Sequence, residues 1–373
     1  MKGRDEVLDS IRGICALLVL AAHARAIVFV DLRDHSNPGI ITKGFYFLTG
    51  IHFEAVVVFF VLSGYFVGGA VVTAIRNGTF LWNRYAGARM TRLWVVLVPA
   101  LLLTFLCDRV GILSSPETYA GEFFGLWASG PSLEKPADFG IVSFLGSLLF
   151  LQTIETTFFG TNSPLWSLAY EFWYYVLFPV AAVGWSFLKQ RVVSHALIYL
   201  LVLTVLIIWL PADILRNGWI WTLGVIVALI RSKALGSTFT RVPQWLVVAL
   251  TAVPLGASLV SSKLINHWIT DFFVGGAFAL WMVFLPTRVR ALRWFEPAGR
   301  YLSAISYTLY LTHFPLLVLF AAWFMDGQQF HMGTEGFAVY AAFLLASIVV
   351  ATVFWWLFEK RTDRIREVLM RRK

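Results

Sequence analysis

Charge is what this chain has little of. Only 14% of its 373 residues are Asp, Glu, Lys or Arg, while 59% are hydrophobic; soluble domains carry about 25% charged residues. A water-soluble globular domain is excluded. Cysteine is also scarce, at two residues, and Cys15 and Cys107 lie in different apolar runs, so a disulfide-built scaffold is excluded too. Low-complexity tracts, repeats of 20 to 50 residues and polar linkers are absent. A single membrane domain over residues 1–358 with a basic tail over 359–373 is the simplest organisation. The net charge of +9 does not indicate a nucleic-acid binder, because the basic residues are scattered over short loops between apolar runs.

What the chain has is apolar runs. Ten are long enough to span a bilayer, or nearly so: 8–30, 50–75, 93–110, 165–188, 194–210, 218–231, 245–260, 267–286, 301–324 and 336–358. An eleventh, Phe139 to Thr153, is shorter and runs into the Asn162-Ser163-Pro164 breaker. Ala22-His23-Ala24 imitates a signal-peptidase site, but Arg12 interrupts the run, and the first segment reads as an uncleaved span. Positive loops set the orientation: Arg76, Arg84, Arg89 and Arg92; Lys189 and Arg191; Arg231, Lys233 and Arg241; Arg288, Arg290, Arg293 and Arg300; and a tail with Lys360, Arg361, Arg364, Arg366, Arg371, Arg372 and Lys373. All are expected on the cytoplasmic side. The segment from Asp108 to Asp138 carries Glu117, Glu122 and Glu134 and is expected outside. Parity then makes 139–153 a re-entrant or partial element. The expected fold is an all-α integral membrane protein of about ten transmembrane helices plus one such segment, in a bacterial-type cytoplasmic membrane with both termini cytoplasmic.

Ionisable residues inside such spans mark candidate sites. Arg12 and His23 are eleven residues apart, about three helical turns and about 16 Å of rise, so they share one face. Arg12 as a snorkelling side chain and His23 as a packing histidine are the bland alternatives. Arg89 and Arg92 are i,i+3 neighbours; the pair serves as a topology anchor, or as a planar fork for phosphate. Glu171 lies about 9 Å below the outer boundary among aromatics. It either partners a cation or is tuned for proton transfer. His313 lies roughly 18 Å above the inner boundary of its span, with Tyr310 one turn below. His52 and Glu54 are expected in water at an outer span end. The Ser63-Gly64 notch favours close helix packing.

The order of motifs resembles the membrane-bound acyltransferase type-3 family, multi-pass proteins that O-acylate cell-surface carbohydrates. The resemblance rests on LDSIRGICALLVLAAH, FFVLSGYFVGG, RYAGARMTRLWVVLVPA, PLWSLAYEFWYYVLFP and ISYTLYLTHFPLL, spread over about 310 residues. It implies the Arg-x10-His pair at Arg12 and His23, the R-x-x-R pair at Arg89 and Arg92, and a fold of about ten helices. The chain departs from the family where Glu171 is followed by Phe172 rather than a second acidic residue. Some relatives carry an extra esterase-like domain after the last helix; here a short basic tail follows, so either the core completes the transfer alone or a partner protein assists.

The expected function is transfer of an acyl group, foremost acetyl, from cytoplasmic acyl-CoA to a hydroxyl of a lipid-linked or exported glycan. Acyl-CoA is a co-substrate; no permanently bound cofactor, metal or nucleic acid is expected. Arg12, Arg89 and Arg92 are assigned to the CoA phosphates and His23 to general-base catalysis. Glu171 is assigned to orienting His23, and His313 or Tyr310 to the oxyanion. A secondary transporter with an intramembrane Arg/His/Glu path is the rival reading.

Overall fold

Helix formation follows the apolar runs closely in the computed structural model, which describes residues 5–127, 129–232, 243–265, 268–286, 296–325 and 327–371. The helices are α1 (Glu6–Val28), α2 (Ile40–Leu48), α3 (His52–Ser63), α4 (Gly69–Arg76), α5 (Trp82–Ile112), α6 (Pro116–Ala120), α7 (Phe124–Trp127) and α8 (Ile141–Leu148). They continue with α9 (Trp166–Lys189), α10 (Val193–Trp209), α11 (Ala212–Ser232), α12 (Gln244–Leu264), α13 (Ile269–Phe284), α14 (Glu296–Phe324), α15 (Thr334–Leu357) and α16 (Thr362–Arg371). Each of the ten long apolar runs is helical over most of its described length. Among the described residues no strand forms, only isolated bridges. Among the described residues seven helical stretches are long and apolar enough to cross a membrane, and α10 and α13 are shorter apolar helices. The chain is an all-α membrane protein. The basic positions Lys233, Arg241, Arg288, Arg290, Arg293, Arg372 and Lys373 lie outside the described residues.

Two compact units are formed by segments that alternate along the chain. The first comprises Met1–Leu8, Phe53–Tyr85 and Tyr170–Trp294. Here α3 passes through one π turn, Gly64–Gly68, into α4. The turn sits where α3 and α11 meet backbone to backbone: a Cβ at Gly64 would collide with the Trp221 carbonyl oxygen, and one at Gly224 with the Val61 carbonyl oxygen. The notch at Ser63-Gly64 is thus a close-packing site, and Trp221 Nε1 donates to Ser63 Oγ across it at 3.1 Å. Because the obstacle is backbone, Gly224→Val should destabilise by at least the roughly 1–3 kcal/mol of ordinary overpacking. An unchanged thermal midpoint in detergent would refute this contact.

The second unit comprises Asp9–His52, Ala86–Ala169 and Phe295–Lys373. Its spine is α14, buried at nearly every position from Ile305 to Leu319. Helix α1 runs parallel to it, since Arg12 meets Ser303 and His23 meets His313. Gly13 permits the approach: a Cβ there would lie 2.7 Å from the Leu302 Cβ and the Ser303 nitrogen. Helix α8, only eight residues and about 12 Å long, cannot cross a hydrocarbon core of about 30 Å. It is a partial element. The chain turns back after it through left-handed residues Phe150 and Thr153, at φ 61° and 71°.

The segment after that turn is fastened by buried polar groups. Asp108, fully buried, accepts from the Thr161 backbone N–H and hydroxyl, both at 2.8 Å. Pro315 has no N–H to give the carbonyl four residues earlier. That carbonyl, Leu311 O, instead accepts from Asn162 Nδ2 at 2.9 Å, and the same amide reaches Thr104 Oγ1 at 3.0 Å. The asparagine of NSPLW therefore repairs the helix defect made by the proline of THFP. In a span this is how a proline becomes tolerable, because a freed backbone group in hydrocarbon must find a partner.

Candidate active site

Of the seven residues assigned a catalytic or donor-binding role from the sequence, all but Glu171 belong to the second unit. At one end of α14, Arg12 Nη2 donates to Ser303 Oγ at 2.7 Å and to the Ser303 carbonyl at 3.1 Å, with Asp9 at 3.5 Å. One turn along, Arg92 stands over the Tyr307 ring at 5.3 Å and pairs with Glu359 at 2.6 Å. Glu359 is buried and takes a second hydrogen bond from the Thr308 hydroxyl. Arg89, half-buried, precedes Arg92 by one turn of α5. Arginines from two helices thus flank the Ser303–Thr308 stretch of α14.

Ten residues further along α14, about 15 Å of rise, lies the histidine site. His23 Nδ1 and His313 Nε2 are 2.9 Å apart, and both rings are buried. The rings are within 9° of parallel with centroids 5.1 Å apart. Face-to-face stacking would bring ring atoms to about 3.5–4.0 Å; 5.1 Å is instead the reach of two imidazoles joined edge to edge through a lone pair. His52 and Phe314 meet His23 edge-on at 5.5 and 5.0 Å.

Tyr310 lies one turn below His313, its hydroxyl donating to the Pro164 carbonyl at 2.9 Å and contacting Ser167 Oγ at 2.6 Å. It fastens the start of the PLWS segment to α14. His313 Nδ1 is within 3.0 Å of the Leu309 carbonyl and 2.9 Å of the Tyr310 carbonyl, so both its nitrogens are engaged. Neither is left for an oxyanion. Glu171 lies in the first unit, where its carboxylate accepts the Tyr175 hydroxyl at 2.5 Å, and Tyr175 contacts Ser63 Oγ at 3.1 Å. The Nδ1 of His23, which a carboxylate would have to meet to orient the ring, is occupied by His313.

The family model for the type-3 acyltransferase domain matches residues 5–356. The chain belongs to that family. No curated protein and no solved structure matches the acyltransferase at a significant level. The matched region reaches from the start of α1 nearly to the end of α15 and includes Arg12, His23, Arg89, Arg92 and His313 but not Glu359, and membership supports acyltransferase activity.

Several features of this acyltransferase are not evident from motifs. Asn162 reads in sequence only as part of a breaker, and its bond to Leu311 is set by a proline in a distant motif. Glu54, expected in water, is 4% exposed and is met by Lys263 at 2.7 Å and the Ser262 hydroxyl at 2.5 Å. Burial next to a lysine from α12 removes it from solvent, which spacing within α3 does not reveal. The partner of Arg92 is visible in the sequence only as one acidic residue, Glu359, just after the last long apolar run.

Proposed function

We propose that the protein transfers an acyl group, foremost acetyl, from acyl-CoA to a hydroxyl of a cell-surface or lipid-linked glycan, with His23 as general base. The observation that carries this reading is the buried His23–His313 hydrogen bond, standing about 15 Å along α14 from the arginines that flank Ser303–Thr308. A CoA thioester is anionic at one end and reactive at the other, and an extended pantetheine arm suits that separation. Arg12, Arg89 and Arg92 take the phosphates. Asp9 and Glu359 hold two of the guanidiniums in place beforehand, and a planar fork binds phosphate in two-point fashion. His23 removes the acceptor hydroxyl proton as the oxygen attacks the thioester carbonyl; the C–S bond breaks, and the proton passes to the CoA thiolate. The buried site keeps water from competing for the acyl group.

Two experiments test this. Purified protein in lipid, given labelled acetyl-CoA and surface glycan, should transfer label to glycan; label remaining wholly in CoA would overturn the donor assignment. Orientation is tested at the two ends of α5, whose 31 residues extend for about 46 Å. With both native cysteines buried, cysteines placed at the exposed positions Ala86 and Ser114 should react with impermeant thiol reagents from the cytoplasmic and outer sides respectively. Reaction from one common side would reject the topology.

A further inference from the structure

Two backbone carbonyls can only accept hydrogen bonds. Leu309 O and Tyr310 O both face His313 Nδ1, so the proton of a neutral His313 sits on Nδ1, shared between them. Its Nε2 is then a lone pair, and the nitrogen 2.9 Å away, His23 Nδ1, must supply the proton of their bond. His23 is left with its lone pair on Nε2. The order along the chain of contacts is therefore fixed from the helix backbone outward: carbonyls, His313, His23, and a basic nitrogen at the end.

We propose that His313 is a positioning residue that holds His23 in the Nδ1–H tautomer, so that His23 Nε2 is the atom that takes the acceptor hydroxyl proton. The proposal rests on the acyl-transfer reading given above. When Nε2 takes the proton, His23 becomes an imidazolium whose Nδ1–H points at the His313 lone pair, and the two carbonyls on the far side of His313 raise that lone pair's electron density. A neutral imidazole here does the orienting work that a carboxylate does in a Ser-His-Asp triad. It does so without adding a net charge to a buried site, where an unpaired ion is costly.

Other elements agree with this arrangement. Parallel packing of α1 and α14 across Gly13 fixes the two rings in register. Phe314 and His52 pack edge-on against His23 and restrict its rotation. The alternative tautomer would set two lone pairs facing each other between His23 and His313, leaving a buried acceptor pair with no proton, a loss of about 1–3 kcal/mol per unsatisfied group.

Nitrogen-15 NMR of the full-length protein labelled at histidine, in lipid nanodiscs, tests the tautomer directly and needs no turnover. His23 and His313 are assigned by the signals missing from His23→Gln and His313→Gln. In wild type, His23 should show a protonated Nδ1 and an unprotonated Nε2; a protonated Nε2 overturns the proposal. The kinetic arm uses two substitutions. His313→Gln retains an amide oxygen able to accept from His23 Nδ1–H and should keep most of kcat. His313→Leu removes the acceptor and should lower kcat by at least about 10-fold, the lower end of what loss of the hydrogen-bond partner of a metal-binding histidine costs and well short of the loss of a triad carboxylate, with KM for acyl-CoA unchanged. Wild-type kcat in His313→Leu, measured per folded molecule, also overturns it. Full activity in His23→Gln would instead sink the general-base reading while leaving the tautomer measurement intact, so the two failures are distinguishable.

Discussion

His23→Gln is expected to insert and fold, to bind acyl-CoA as wild type does, and to lose acyl transfer by about 10²–10⁴-fold, the usual contribution of a positioned general base. Glutamine is the informative replacement. Its amide fills much of the imidazole volume and can still donate to His313 Nε2, so the packing against Phe314 and His52 is largely retained. What it lacks is a nitrogen lone pair of useful basicity. A packing histidine predicts the opposite: near-normal activity in the Gln variant and instability in His23→Ala. The deciding quantity is acyl transfer per correctly inserted molecule, and activity within about threefold of wild type, far short of a general base's contribution, would remove His23 from the mechanism.

Much of this site was legible because helices in a membrane convert spacing into position. Arg12 and His23 share a face by periodicity alone, and α1 carries them to two points on α14. The residues they meet were only partly legible. His313 stood out as an ionisable residue in hydrocarbon, whereas Ser303 is an ordinary serine until a parallel helix packs across Gly13. Oxyanion stabilisation was a reasonable expectation for His313, since nothing in a sequence reveals that both ring nitrogens are engaged. The long helices follow from apolar length, and the shortness of α8 from its short apolar run. What periodicity does not reveal is the alternation of chain segments between two units, because that depends on contacts remote in sequence. It also misses side chains that repair backbone defects: the Asn162 bond to Leu311 exists because Pro315 lacks an N–H.

Arg92 is where a structural and a functional role coincide, and the second large effect is expected there. Arg92→Ala removes the guanidinium from Glu359, whose side chain is only 3% exposed. Breaking a fully buried pair costs about 3–5 kcal/mol through the stranded charge, and exposed pairs contribute about 1 kcal/mol or less. With Arg92 38% exposed, a loss between those limits is expected, seen as a lowered thermal midpoint in detergent. Glu359→Gln, added to Arg92→Ala, removes the stranded charge yet keeps an acceptor for the Thr308 hydroxyl, so the midpoint should recover. Acyl-CoA affinity separates the roles. If Arg92 takes a CoA phosphate, the double variant regains stability but still binds acyl-CoA weakly, and Arg92→Lys rescues only in part because an ammonium binds as a point charge. Recovery of wild-type acyl-CoA affinity in the double variant would make Arg92 a clamp for Glu359 and leave the phosphates to Arg12 and Arg89.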